Sequence, residues 1–181
     1  MIKLKLQEKF DQVYEIMKQS FPESEYREYS EQMKLLLDSR YRLLTEENEQ
    51  NEVIGFLAGW EFEAFRYIEN VAVSPEIRGG GIGKRLMERF MKQFDMPIIL
   101  EVELPEDKLK HRRVQFYERL GFSLGDYSYV QPPLRAGLQT FPLQIMSYPE
   151  GLSSMQFEMV RKVLYKEVYG IQSPHAYAQK S

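Results

Sequence analysis

The stretch that most constrains this chain runs from Val71 to Leu86, where a strand-like segment passes through a run of glycines into a helix-like one. Val71, Ala72 and Val73 are small and apolar, as a central strand requires. Pro75 has no amide hydrogen to give a ladder and ends that strand. From Ile82 the apolar spacing becomes helical: Ile82, Leu86, Phe90 and Phe94 recur at every fourth position, with Met87 and Met91 beside them. Gly79, Gly80, Gly81 and Gly83 therefore lie where the strand turns into a helix N-terminus. The absence of side chains there lets a ligand approach the backbone closely. First-turn amides and the positive end of the dipole make such a place an anion site. Helix starts favour Asp and Glu, yet Arg78, Lys84 and Arg85 surround this one. A bound anion relieves their mutual repulsion, so a phosphate-bearing ligand is favoured over a solvated basic turn.

Two common phosphate motifs fail. A P-loop, G-x-x-x-x-G-K-[ST], matches at Gly83-Lys84 but has Arg78 at its first glycine and Arg85 at its metal-binding hydroxyl. A dinucleotide G-x-G-x-x-G would need glycine at Lys84 or at Leu86. What fits is R-x-x-G-x-G, read as Arg78, Gly81 and Gly83 after a V-A-V strand. This resembles the pyrophosphate-binding motif of the GNAT superfamily of N-acetyltransferases. About thirty residues on, Phe116-Tyr-Glu-Arg-Leu-Gly-Phe122 is similar to that family's second signature helix. The resemblance covers about residues 53–122.

At 181 residues the chain is most simply one domain, 1–181, with a core of about 53–122, C-terminal strands and a helix over 123–171, and a tail at 172–181. A net charge of −3 gives no general pull toward nucleic acid or anionic membrane, and no continuous basic aromatic face is visible. With no cysteine, disulfides, thiolate nucleophiles and cysteine metal sites are excluded. The start, Met-Ile-Lys-Leu-Lys-Leu, has no long apolar run, so no signal or membrane anchor is expected and a cytoplasmic protein fits.

Ile2–Leu6 alternates as a short edge strand would, and Leu6, Phe10, Val13, Tyr14 and Met17 trace a helical face ending near Phe21-Pro22. A second helix is expected from about Ser24, with Tyr26, Tyr29, Met33, Leu36 and Leu37 buried. Strands are expected at 41–45, 53–62, 66–73, 97–104, 122–130 and 141–148, and helices from Ile82 to about Gln93 and over 108–120. Gly121 ends the latter helix. The last helix starts with a capping box, Ser153 and Gln156. Its apolar stripe of Met155, Met159, Val160, Val163, Leu164 and Val168 would serve the core or, alternatively, a homodimer contact. The sum is a mixed α/β domain with a largely antiparallel central sheet flanked by helices. The resemblance adds a splayed strand pair at the cofactor site.

The resemblance implies an acetyl-CoA-dependent N-acetyltransferase that moves the acetyl group directly to a primary amine of a small molecule or peptide. The alternative is a non-catalytic acyl-CoA-binding or regulatory relative. Acetyl-CoA would be the co-substrate, with no metal. Its pyrophosphate would lie on the amides of Gly79, Gly80, Gly81, Ile82, Gly83 and Lys84, with charge from Arg78 and Lys84. Val71 and Val73 would meet the pantetheine arm through their main chain. In this family a tyrosine on the second signature helix commonly protonates the departing thiolate, and Tyr117 holds that position. A free alkylamine has a pKa of ~10.4, so a base is needed. Glu69, two residues before Val71 and so expected on the face of Val71 and Val73, is the first candidate; Glu61, Glu63, Glu101 and Glu103 also lie on expected central strands, as an acidic substrate cleft that would suit a cationic amine or as strand-end charges facing water. Two family positions depart from pattern: Lys110 replaces a common Asn and Arg113 a small residue, and Lys108, Lys110, Arg112 and Arg113 would be candidates for the 3′-phosphate or for a solvated helix start. His111 and His175 are isolated and make no metal site. Tyr26, Arg27 and Trp60 are candidates for the acceptor pocket, as are Tyr29, Tyr127, Tyr129 and the 131–137 loop, because aromatics beside carboxylates suit a cation.

Overall fold

The computed structural model describes residues 2–77 and 79–171, with side chains from residue 7 onward. Arg78 and the expected tail at 172–181, with His175, lie outside the described residues. The chain divides into two compact units, Met1–Ile98 and Ile99–Ser181. Each combines helices with antiparallel strand pairs, so the fold is mixed α/β with a largely antiparallel sheet.

In the first unit, α1 (Ile2–Ser20) is continuous through the segment expected as an edge strand. A short alternating run next to a strong amphipathic helix is absorbed by propagation, because adding a residue to an existing helix is easier than starting a strand. The second expected helix breaks into a turn at Glu23–Glu25, α2 (Tyr29–Lys34) and a tight turn at Leu35–Leu37. Tyr26 is buried as expected, but Leu37 is 87% exposed. Strands β1 (Tyr41–Glu47), β2 (Val53–Glu61) and β3 (Arg66–Val73) form an antiparallel meander.

Helix α3 (Ile82–Met91) lies against β2 and β3 through Ile82, Leu86, Met87 and Phe90, all buried. The approach is close because β2 has glycine at two positions on that face. A Cβ on Gly55 would come within 3.0 Å of Ile82 and 3.1 Å of the Ala72 carbonyl. One on Gly59 would come within 2.7 Å of the Tyr67 carbonyl and 2.9 Å of the Phe90 ring. Phe56, Ala58 and Trp60 alternate with these glycines and are equally buried, so the other face is covered too, by α1. Phe94 falls past the end of α3 and is half exposed, which shortens the expected apolar stripe.

In the second unit, β7 (Phe141–Tyr148) runs between β4 (Ile98–Glu103) and β5 (Ser123–Leu124), and β6 (Tyr129–Gln131) also pairs with it. The single strand expected over 122–130 is thus two short ones, parted near Gly125, whose amide bonds to the Ile145 carbonyl at 2.9 Å. Asp107 caps α4 (Lys108–Glu118) by accepting from the amides of Leu109 and Lys110. The capping box of α5 (Ser154–Val163) forms as expected, but Met155 and Met159 face outward and Phe157, Val160 and Leu164 fill the core.

The glycine seat under α3 gives a test. Gly59→Ala forces Phe90 or the β3 backbone to shift and should cost about 1–3 kcal/mol in urea unfolding. An unchanged midpoint would contradict the close approach.

Candidate functional site

The turn before α3 has the conformation that its glycines suggest. Gly79, Gly80 and Gly81 have φ of 94°, 67° and 66°, and Gly81 is the N-cap of α3 with no side-chain cap. A Cβ on Gly79 or Gly80 would touch nothing within 4 Å, so the requirement is the left-handed backbone and not crowding. A methyl there would instead stand over an exposed main chain. The cations of the turn, however, are less bare than their sequence spacing suggests. Lys84 lies 3.7 Å from Glu88, and Arg85 donates to the Gly80 carbonyl at 2.5 Å and lies 3.9 Å from Glu46. Both cations therefore have partners within the chain, beside the exposed backbone and the positive end of the helix dipole.

Glu69 sits at an irregularity in β3. Ala58 of β2 faces Asn70 and Gly59 faces Ile68, which leaves Glu69 as the extra residue of a β-bulge. Simple alternation therefore fails. Val71 and Val73 face Leu57 and Gly55, on the α3 side, whereas Glu69 reaches Trp60 on the other side. The expectation that Glu69 shares a face with Val71 and Val73 is corrected by that bulge.

The bulge places Glu69 in a buried polar network with two residues expected in the acceptor pocket. Arg27 Nη1 donates to Glu69 Oε1 at 2.5 Å, and Trp60 Nε1 donates to Glu69 Oε2 at 2.9 Å. The Glu69 side chain is 3% exposed and that of Arg27 10%. Around them, Tyr14 donates to the Arg27 carbonyl at 3.1 Å, the Arg27 amide donates to Gln32 Oε1 at 3.3 Å, and Gln32 Nε2 donates to the Tyr41 hydroxyl at 3.0 Å. Burial, aided by the Glu69 charge, pushes the Tyr41 phenol far up, so it stays protonated. Tyr26 is buried with its ring edge-on to Tyr14, 5.8 Å between centroids.

In the second unit, Tyr117 lies on α4, buried, with Phe116 and Phe122 edge-on at 5.2 and 6.1 Å. Among the described residues its hydroxyl has no hydrogen-bond partner. Burial pushes its pKa up to about 12, and Arg113, one turn earlier, acts in the opposite sense. Arg113 and Lys110 both turn to Glu103, at 2.6 and 3.6 Å, and Lys110 also meets Glu106 at 3.3 Å. Glu101, two residues earlier on β4, accepts from Tyr129, Gln131 and Tyr169. That cluster gathers residues from β4, β6 and the end of the last helix, and only Tyr129 and Glu101 stand out as single candidates from sequence. Among the described residues no group of His, Cys, Asp and Glu could hold a metal ion, and no helix is long and apolar enough to cross a membrane.

The model of the acetyltransferase (GNAT) family matches residues 10–122. A solved GNAT-family structure from Bacteroides thetaiotaomicron is 32% identical, covers 94% of this chain and 96% of its own, and superposes with a TM-score of 0.83. The Bacillus subtilis protein YjbC, an acetyltransferase by name, is 30% identical over 111 residues, which are 60% of this chain and 55% of YjbC. This chain therefore spans little more than half the length of that curated relative. Arabidopsis thaliana NAA60, solved in complex with acetyl-CoA, is 16% identical, with 78% of this chain and 93% of that one covered at a TM-score of 0.60, a likeness of fold. The chain belongs to the acetyltransferase (GNAT) family.

The Arg27–Glu69 pair gives this region its own test. Arg27→Met would leave a buried carboxylate without its cation and should cost about 3–5 kcal/mol in urea unfolding. Adding Glu69→Gln should restore most of the loss. A single variant as stable as the parent protein would contradict a buried pair.

Proposed function

We propose that this member of the GNAT family transfers an acetyl group from acetyl-CoA directly to a primary amine. The observation that carries the reading is the run of left-handed glycines opening into the N-terminus of α3. Such a turn offers bare main chain and a positive dipole end to a diphosphate. The acetyl-CoA complex of the similarly folded NAA60 supports the same choice of ligand. The pyrophosphate would lie along Gly79–Lys84, with Arg78 contributing charge and Val71 and Val73 offering main-chain groups to the pantetheine arm. Both compact units would act as one acetyltransferase domain, in the cytoplasm. A covalent acetyl-cysteine route is closed, because the chain has no cysteine.

Direct transfer forms a bond from the amine nitrogen to the acetyl carbon and breaks the carbon–sulfur bond. One proton leaves the nitrogen and one is needed by the departing thiolate. Tyr117 is our candidate for protonating the thiolate. Its side chain is largely buried, its hydroxyl is uncommitted among the described residues, and at a pKa of about 12 it carries its proton. Glu69 is our candidate base. Arg27 and Trp60 occupy two of the roughly four lone-pair sites of its carboxylate, which leaves room for a proton or a relaying water.

Calorimetry should show saturable binding of acetyl-CoA. Binding without thiol release for any amine would favour the non-catalytic alternative. Tyr117→Phe should lower kcat by about a hundredfold or more with acetyl-CoA affinity unchanged. An unchanged kcat would remove Tyr117 from the reaction.

The pH profile offers a separate check. The Tyr117 phenol stays protonated because burial holds its pKa at about 12. Activity should therefore rise with amine deprotonation to about pH 10 without an alkaline decline from the acid. A falling limb between about pH 8 and 9 would contradict this assignment.

A further inference from the structure

Asn70 is 5% exposed and lies inside β3, where asparagine is an unfavourable choice. Its Nδ2 donates to the Glu25 carbonyl at 3.4 Å, which settles which end of the amide is the oxygen. That oxygen, Oδ1, is buried too and accepts no hydrogen bond among the described residues. A buried acceptor left unpaired costs stability, so such an atom calls for a partner or a task. Three other buried side-chain atoms among the described residues lack a hydrogen bond, and each has a simpler account. Those of Glu61 and Arg66 belong to opposite charges that lie 3.7 Å apart, and Gln144 is only half-buried.

The bulge in β3 decides what Asn70 stands beside. Asn70 pairs with Ala58, which lies between Phe56 and Trp60 on the side of β2 covered by α1. Residues paired across antiparallel strands share a face. Glu69 is turned to that same side, where it meets Trp60. Two consecutive side chains therefore point the same way, which a regular strand forbids and a bulge allows. One short segment meets both of them: the Glu25 carbonyl takes the Asn70 amide, and the Arg27 guanidinium takes Glu69.

The Glu69 side chain is 3% exposed, so a substrate amine has no open path to lay its nitrogen directly on that carboxylate. A water is small enough to do so, and it needs two to four polar partners to be held. Asn70 Oδ1 and the Glu69 carboxylate are two acceptors on one face, which matches the two hydrogens of a water. We propose that Asn70 is a positioning residue for proton transfer: its Oδ1 holds a water against Glu69, and that water relays the proton of the amine. The inference rests on the reading above that the acceptor is an amine and Glu69 its base. As the nitrogen bonds to the acetyl carbon, its N–H bond breaks and the proton passes to the water oxygen. The water hydrogen that faces Glu69 passes to the carboxylate, which becomes a carboxylic acid, and the water is restored. Asn70 exchanges no proton; it engages the other hydrogen and so turns the lone pairs of the water toward the amine.

The test has two arms. A crystal structure of the unaltered protein should show an ordered water within about 3.2 Å of both Asn70 Oδ1 and a Glu69 carboxylate oxygen. An Oδ1 packed dry, or a water that touches only one of the two groups, would overturn the proposal. The second arm compares Asn70→Thr with Asn70→Val. Both side chains have one shape, both suit a strand and both lose the bond to Glu25, but only threonine keeps an oxygen that can accept. With the best acceptor among butylamine, spermidine and lysine amide, kcat of the threonine variant should exceed that of the valine variant by about tenfold or more. KM for acetyl-CoA should be the same in both. Equal kcat values would overturn the proposal, because a purely structural asparagine is lost alike in the two variants. If neither variant folded, the crystal structure would decide alone. A dry site in a protein that acetylates one of these amines would strike the relay and leave the amine reading standing. No turnover of any of the three, even with the water in place, would strike the two together.

Discussion

The close seating of α3 on β2 is the constraint on which the rest of the first unit depends. Gly55 and Gly59 remove the two side chains that would hold the helix away from the strand, and Ile82, Leu86 and Phe90 fill the space. Arg66, fully buried at the start of β3, secures the far end of the helix. Its guanidinium stacks on the Phe90 ring at 3.6 Å, donates to the Phe90 carbonyl and reaches Gln93 at 2.9 Å. A cation at a helix C-terminus satisfies otherwise orphaned carbonyls and opposes the negative end of the dipole. With one end held by Arg66 and the body held by the glycine seat, the N-terminus of α3 is fixed where the left-handed turn delivers the chain.

Two carboxylates show how differently one protein can hold the same group. Glu69 is clasped by a guanidinium and an indole inside the first unit, and its charge is balanced there. Glu101 is gripped by two phenols and an amide in the second unit.

Much of this was legible in the sequence because it is local. The strand Arg66–Val73, the start of α3 at Ile82 and the Ser153–Gln156 capping box follow from residue type and spacing within a few positions. What escaped depends on partners far along the chain. The bulge at Glu69 exists only in the register between β2 and β3, so alternation within β3 put its side chain on the wrong face. Arg27 and Glu69 are 42 positions apart, and Tyr169 and Glu101 are 68 apart. The cationic turn likewise looked uncompensated because Glu46, which sits near Arg85 and Arg89, comes from β1. The Ile2–Leu6 segment misled for the opposite reason: its local alternation was real, but the neighbouring helix prevailed.

The central claim is that a diphosphate is held by main chain at the turn between β3 and α3. A crystal structure of the protein grown with coenzyme A tests it most directly. The account predicts pyrophosphate oxygens within about 3.2 Å of amide nitrogens in the segment Gly79–Lys84. Well-defined coenzyme A bound with its pyrophosphate away from that segment would contradict it.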